Sequence, residues 1–339
     1  MPCCRPRTRR CRPSLISPAR SSGRRPTGRE RNIGPSFRRE AMSHRKPHVL
    51  VFGAGGQLGR ELDVAMSGER MAATLLTRKQ ADICDRPAVE AVVRLTNPTV
   101  IINAAAYTKV DQAEVEPEYA FSSNCEGPAL LADLCSERGL PLVHVSTDYV
   151  FDGNKAAPYV ETDPVGPTGA YGRSKEAGEQ AVRTRLERHI ILRTAWVYGV
   201  HGGNFLKTML DLARRRESWG VVADQCGNPT ATVDLAQAIL AIATRATDGN
   251  APWGTYHFAG SGDATWHDFA CEIVAAQAKS TNRRPTLAAI RTADYPTRAR
   301  RPANSRLDST RFASAFGITS RPWQQRTREV VAALTATSA

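Results

Sequence analysis

Apolar residues along most of this chain fall in short continuous runs, and each run is followed by an amphipathic stretch. His48-Val49-Leu50-Val51-Phe52 is the first run, rich in β-branched residues, and it predicts a buried strand. A cluster of glycines follows, and an amphipathic segment beginning Arg60-Glu61-Leu62 predicts a helix. Ala73-Thr74-Leu75-Leu76 predicts a short second strand. From Arg86 to Leu95 a stripe through Val89, Val92, Val93 and Leu95 predicts a helix entered at Pro87. Thr99–Ile102 reads as a third strand, about Glu116 to Arg138 as a long helix, and Leu142–Ser146 as a fourth strand with Thr147 at its end. Residues 170–185 predict a further helix and Ile190–Arg193 a fifth strand. Continuous apolar strands alternating with helices imply an α/β fold, a doubly wound parallel sheet covered on both faces. From about Gly199 the alternation gives way to Gly/Pro-rich turns and elements expected to be shorter.

The glycine cluster adds chemistry to that frame. Gly53-Ala54-Gly55-Gly56-Gln57-Leu58-Gly59 fails the GxGxxG spacing, which would need glycine at Leu58, and fits GxxGxxG through Gly53, Gly56 and Gly59. Between a buried strand and a helix, such glycines let the backbone turn sharply and approach a pyrophosphate seated on the helix N-terminus. A ligand-free glycine turn is the bland alternative, and the placement favours the nucleotide. The sheet is therefore expected to be Rossmann-type, with ligand beyond the strand C-termini. Asn103–Ala106 after strand three and Ser146–Thr147 after strand four fall at that same edge.

Tyr171-Gly172-Arg173-Ser174-Lys175 places a phenol and an ammonium four residues apart, on one helix face. The ammonium is expected to lower the phenol's pKa, and the Thr147 hydroxyl can bind the same oxygen. Together these groups suit proton transfer while a cofactor moves a hydride. Taken alone, a YxxxK spacing is ordinary helix surface in most sequences.

Charge changes the picture little once located. The chain of 339 residues carries a net charge of +13, but residues 1–41 hold 12 Arg and 2 Glu, which leaves +3 for the rest. The tail, Met1 to about Lys46, is Arg-, Pro- and Ser-rich without apolar periodicity and is expected to be disordered. It lacks the apolar core of a secretory signal and faintly resembles a transit peptide. A translation start at Met42 is the more economical reading. No specific nucleic-acid partner is expected for the body. Of the eight cysteines, the five beyond the tail show no CxxC or Cys/His metal spacing. No metal site is therefore assigned, and a reducing, cytoplasmic setting is expected. No apolar run approaches the roughly 18 residues of a membrane span.

At this point the motifs resemble the extended short-chain dehydrogenase/reductase superfamily, and within it the dTDP-4-dehydrorhamnose reductases. Phe52–Gly59 is similar to that family's FGxxGQLG, Ile102–Thr108 to VNAAAYT, and Ser146–Gly153 to STDYVFDG. Tyr171–Lys175 resembles YGxSK, Arg193–Tyr198 RTxWVY, Asp224–Thr230 DQxGxPT and Arg301–Leu307 RPxNSxL. The resemblance spans roughly His48 to Trp323. Two departures are visible: Gln112, where the family often has Lys, and the basic tail.

The resemblance implies reduction of the C4 ketone of dTDP-6-deoxy-L-lyxo-4-hexulose to dTDP-L-rhamnose, with Thr147, Tyr171 and Lys175 catalytic. It implies cofactor contacts from Gly53, Gly56, Gln57, Leu58, Gly59, Thr77, Arg78, Asp82, Ile83, Ala104, Ala105, Ala106, Tyr107, Tyr171 and Lys175. Sugar-nucleotide contacts would come from Thr147, Asp148 and Trp196, although Trp196 also reads as core packing and Asp148 as a turn cap. Thr77-Arg78-Lys79 stands where an acid would bind a ribose 2′-hydroxyl, and its cations suit a 2′-phosphate. NADPH is therefore favoured, with NADH as the second nicotinamide. Some relatives dimerise through a carboxylate-bound magnesium, and Glu61 follows the glycine motif at a matching place. A surface Glu on a helix is ordinarily a solvated face, so no metal is assigned and a homodimer is left open.

The expected organisation is an extension over residues 1–46, a Rossmann domain with the catalytic residues over 47–198, and a smaller sugar-nucleotide-binding lobe mainly over 199–330, some segments of which return to the Rossmann domain. Two other functions share such a fold. One is a non-catalytic regulatory subunit, like the family resembling the β-subunit of methionine adenosyltransferase. Against it stands the retention of Thr147, Tyr171 and Lys175 together. The other is a nucleotide-sugar epimerase, which would keep NAD bound.

Overall fold

The computed structural model describes residues 47–69 and 71–336; the Arg-rich extension, with the start expected at Met42, lies outside the described residues. The first half runs β1 (His48–Phe52), α1 (Gln57–Gly68), β2 (Ala72–Leu76), α2 (Arg86–Thr96), β3 (Val100–Asn103), α3 (Val110–Ala113), α4 (Pro117–Phe121), α5 (Gly127–Arg138), β4 (Leu142–Thr147), α6 (Ala170–Arg185) and β5 (His189–Thr194). The second half adds β6 (Val197–Tyr198), α7 (Phe205–Arg215), β7 (Ser218–Val222), β8 (Cys226–Gly227), β9 (Thr230–Ala231), α8 (Thr232–Thr247), β10 (Gly254–His257), β11 (Ala264–Thr265), α9 (Trp266–Thr281), β12 (Thr286–Ile290), α10 (Thr310–Phe316) and α11 (Trp323–Ala336).

Six of these strands form one parallel sheet in the order β2-β1-β3-β4-β5-β10. The strands read as unbroken apolar runs because both faces are covered. Val49, Val51, Ile102 and Val143 pack on one side with Leu62 of α1, Ile239 of α8 and Phe312 of α10. Leu50, Phe52 and Ile101 pack on the other with Val89 of α2, Leu131 of α5 and Val182 of α6. The doubly wound α/β fold expected from the alternation is the one present. Strand order reverses between β1 and β3, and a crevice opens there at the carboxyl edge of the sheet.

Two elements differ from expectation. The helix expected over Glu116–Arg138 is broken by a π-helical turn, Ser122–Glu126, between α4 and α5. Pro128 has no N–H to continue the regular ladder, and π-turns absorb such a defect. Beyond Gly199 the elements are not uniformly short, since α8 and α9 have 16 residues each. Buried Leu235, Ala236, Ala238, Ile239, Ile242 and Ala243 surround much of α8. β10 joins the main sheet beside β5. Three two-stranded pairs, β6–β9, β7–β12 and β8–β11, accompany a second core containing Leu206, Phe269, Ile273, Trp323 and Val330.

Candidate active site

The glycine turn after β1 is shaped by close backbone approach. Gly53 has φ +95°, and a Cβ there would lie 2.5 Å from the Ala104 carbonyl carbon. A Cβ on Gly59 would lie 2.2 Å from the Gly53 carbonyl oxygen, so the third glycine lets α1 pack onto the turn. The Gly53 and Ala54 N–H groups both donate to Leu76 O at 3.0 Å, clipping the turn to the end of β2. Gly56 caps α1 without a side chain, and the first turn of α1 carries no acid, which leaves its positive end available to an anion. A cavity of about 400 Å³ opens at this turn, lined by Gly53, Gly55, Gly56, Arg78, Ala81, Asp82, Ile83, Ala104, Ala105, Ala106 and Tyr107 among others. These residues fit a dinucleotide.

At its rim Arg78 Nε donates to Asp82 Oδ2 at 2.8 Å, while Asp82 Oδ1 accepts from Cys84 N at 3.1 Å. Burial works to raise the Asp82 carboxyl, but the Cys84 N–H and the Arg78 guanidinium outweigh it and hold it below the usual range. Thr77 donates through both N–H and hydroxyl to Gln80 Oε1, closing the local turn. Thr77 and Gly59 are not among the cavity's lining residues.

A second cavity, about 350 Å³, contains Gln57, Leu58, Thr147, Asp148, Tyr171, Lys175 and Trp196 in its wall. It shares Gly56, Ala104, Ala106 and Thr108 with the first, so the two form one trough. Tyr171 and Lys175 lie one turn apart on α6, and Thr147 ends β4 beside them. Burial pushes the Tyr171 phenol above its ordinary pKa, opposed by the Thr147 hydroxyl. Burial also pulls the Lys175 ammonium down to about 8, opposed by the Glu179 carboxylate. The expected lowering of the phenol by Lys175 is therefore not what the site shows. Lys175 Nζ instead donates to Val145 O at 2.7 Å, and desolvation dominates the phenol. A phenol held protonated is the form a general acid needs.

Thr147 Oγ1 donates to Asp148 Oδ1 at 2.9 Å and accepts from Tyr149 N at 3.2 Å. Thr147, not Asp148, thus caps the short turn over residues 148–150. Burial raises the Asp148 carboxyl to about 6, against the Ser305 and Thr147 hydroxyls. Trp196 lines the cavity and also packs against two apolar clusters, one with Tyr198 and Phe269 and one with Phe151 and Tyr159.

Several supporting residues were not legible. Asn124, in the π-turn, accepts from Tyr107 N at 2.8 Å and donates to Tyr107 O and to Ser174 Oγ, both at 3.0 Å. Ser174 in turn donates to Tyr171 O at 2.8 Å, so one amide ties the loop after β3 to α6. Glu179 accepts from Arg193 Nη2 at 2.7 Å and Arg183 Nη1 at 2.8 Å. Burial would raise its carboxyl, yet Arg193 holds it below the ordinary range. Its spacing, four residues beyond Lys175, was the available signal. Trp266 lines the cavity without belonging to any motif. Glu61 is buried rather than solvated, accepting from Thr232 Oγ1 at 2.7 Å. Among the described residues no group of three or more His, Cys, Asp or Glu is placed to hold a metal ion.

A parallel sheet with a glycine turn at its switch point, and a Thr–Tyr–Lys set in the adjoining cavity, defines an oxidoreductase of the extended short-chain dehydrogenase/reductase class. Within that class the chain belongs to the family described as RmlD substrate binding domain, which matches residues 47–336. It is 44% identical over 286 residues to the dTDP-4-dehydrorhamnose reductase of Aggregatibacter actinomycetemcomitans, covering 83% of this chain and 97% of the relative. Among solved structures it resembles a dTDP-4-dehydrorhamnose reductase from Clostridium acetobutylicum, with TM-score 0.79 and 35% identity over 85% of this chain and 99% of that one. It equally resembles the Bacillus anthracis dTDP-4-dehydrorhamnose reductase in complex with NADP, with TM-score 0.79 and 34% identity over 85% of this chain and 100% of that one.

Proposed function

We propose that this chain reduces the C4 keto group of dTDP-6-deoxy-L-lyxo-4-hexulose (dTDP-4-dehydro-L-rhamnose) to dTDP-L-rhamnose with NADPH, the last step of dTDP-rhamnose biosynthesis. The observation that carries this reading is Thr147, Tyr171 and Lys175 in one cavity continuous with the glycine turn. When bound, the nicotinamide supplies the hydride. Tyr171 gives its proton to the C4 oxygen as charge develops there, and the Thr147 hydroxyl donates to the same oxygen in place of Asp148. The Lys175 ammonium would hold the ribose hydroxyls and stabilise the phenolate left by proton transfer. Gly53, Gly56 and the N-terminus of α1 would take the pyrophosphate, and Asp82-Ile83 the adenine edge. Asp148 and Trp196 would contact the sugar nucleotide.

The same reading takes the protein as cytoplasmic, supported by five free cysteines among the described residues. No described helix is long and apolar enough to cross a membrane. A specific nucleic-acid partner is not part of the reading, since the net charge outside residues 1–41 is only +3. Assembly as a homodimer rests on the resemblance alone. A coupled assay tests the activity: full-length protein with the dTDP-ketosugar and NADPH is expected to consume the cofactor and yield dTDP-L-rhamnose. Absence of NADPH oxidation, or release of an epimerised sugar with no net oxidation, would overturn it.

Cofactor choice follows from the rim. Asp82 holds Arg78 by Nε, which orients the guanidinium without using its Nη nitrogens. A charge-assisted contact to a 2′-phosphate contributes roughly 1.5–3 kcal/mol, about ten- to hundredfold in affinity. Arg78→Ala is expected to raise the Michaelis constant for NADPH by about that factor and leave NADH nearly untouched. Equal changes of less than about threefold for both cofactors would show that Arg78 only faces solvent.

A further inference from the structure

Trp196 has φ +47°, in the left-handed region, at the wall of the catalytic cavity. The other described non-glycine residues with positive φ are Asn97 and Asn282, both helix C-caps, where that conformation is ordinary. A tryptophan there is strained, and such a residue persists only where its surroundings over-determine it. Two contacts hold the backbone: Trp196 O accepts from Thr230 N at 3.2 Å, and Val197 O accepts from Gln57 Nε2 at 3.2 Å. Two more hold the ring. Gly227 leaves a slot for it, since a Cβ there would lie 2.4 Å from Trp196 Cε2. The Trp266 indole is stacked on it with centroids 3.6 Å apart and planes within 8°.

Trp266 is itself well anchored. It is the first residue of α9, behind a Thr265/Asp268 capping box, and Phe205 packs against it at 4.6 Å. Both indoles line the cavity that contains Tyr171 and Lys175. The stack therefore joins a helix of the second core to the strained residue facing the reaction.

We propose that Trp266 is a positioning residue for the reduction, holding the Trp196 indole in the orientation that seats the sugar of the nucleotide-sugar substrate. This inference rests on the reductase reading. It assigns Trp266 a role in sugar binding and none in proton transfer or cofactor capture. The cofactor turn keeps its own supports, Leu76 O and the Gly53–Gly59 contact, when Trp266 changes.

Trp266→Leu and Trp266→Phe test it, alongside the unaltered protein. Stacked indoles give a coupled near-ultraviolet circular dichroism signal, expected in the unaltered protein and absent from both variants. Trp266→Leu is expected to raise KM for the dTDP-ketosugar by about two- to tenfold, the worth of an aromatic pair. Its kcat and its NADPH dissociation constant are expected to change by less than about twofold, while Trp266→Phe recovers most of the KM. Unchanged KM in Trp266→Leu, or a loss appearing in NADPH affinity instead, overturns the proposal. So does a fall in activity that only follows a lowered Tm and is not recovered by Trp266→Phe. If the unaltered protein does not reduce the ketosugar at all, the reductase reading has failed first, and the proposal falls with it.

Discussion

Tyr171→Phe is expected to lose about 10²-fold or more in turnover of the dTDP-ketosugar while binding NADPH as tightly as the unaltered chain. The magnitude is the usual scale for removing a positioned general acid. The expectation is sharp because the substitution removes one oxygen and little else. The ring stays packed edge-on against Tyr149, with centroids 5.5 Å apart, so no cavity forms. A tyrosine phenol is protonated at neutral pH and burial raises Tyr171 further, so the lost group is the proton donor itself rather than a phenolate. Steady-state kinetics with fluorescence titration of NADPH checks both halves. Near-normal turnover would remove Tyr171 from the mechanism.

Lys175→Met is expected to lose about as much turnover and, unlike the Tyr171 change, roughly ten- to hundredfold in NADPH affinity, the scale of a charged hydrogen bond. Methionine has a similar length, and Lys175 is only 2% exposed, so the replacement removes a desolvated charge without opening space. Thermal stability is expected to hold. The pH dependence has a definite sign. In the ligand-free protein the Lys175 ammonium titrates near 8, and the protonated form is the one that holds ribose hydroxyls. NADPH affinity is therefore expected to be level below that pH and to fall as pH rises through it, whereas Lys175→Met is expected to show no such fall. A variant that keeps its cofactor affinity while losing turnover would separate the two roles assigned to Lys175.

Much of this architecture was legible because its determinants are local. The strands β1, β3, β4 and β5 are buried on both faces, which forces continuous apolar runs that neither a surface strand nor an amphipathic helix shows. Gly59 is dictated by backbone approach within the turn itself, and Gly53 by a φ of +95° that few other residues adopt, so both show in the sequence. Tyr171 and Lys175 share a helix face, a juxtaposition set by helical periodicity alone.

What was not legible depends on residues far apart in the chain. Asn124 gives no sign of its clamp, because its partners Tyr107 and Ser174 lie 17 and 50 residues away. The helix α8 is buried around much of its circumference, which leaves only a narrow polar face through Gln237, Thr244 and Arg245. Glu61 looked like a solvated side chain until Thr232, 171 residues on, was placed beside it.

By itself, then, the sequence determined the alternation of strands and helices as far as β5, the glycine turn and the pairing of Tyr171 with Lys175, which arise through sterics, burial periodicity and helix geometry. Only the tertiary structure decided the direction in which that pair's pKa values move and the wall around it. Desolvation by the packed sheet and helices raises the Tyr171 phenol, where charge proximity along the helix argued for a lowering. Trp196 and Trp266, 70 positions apart, meet because α9, packed in the second core, starts at the wall of the same cavity, a contact that no local pattern encodes.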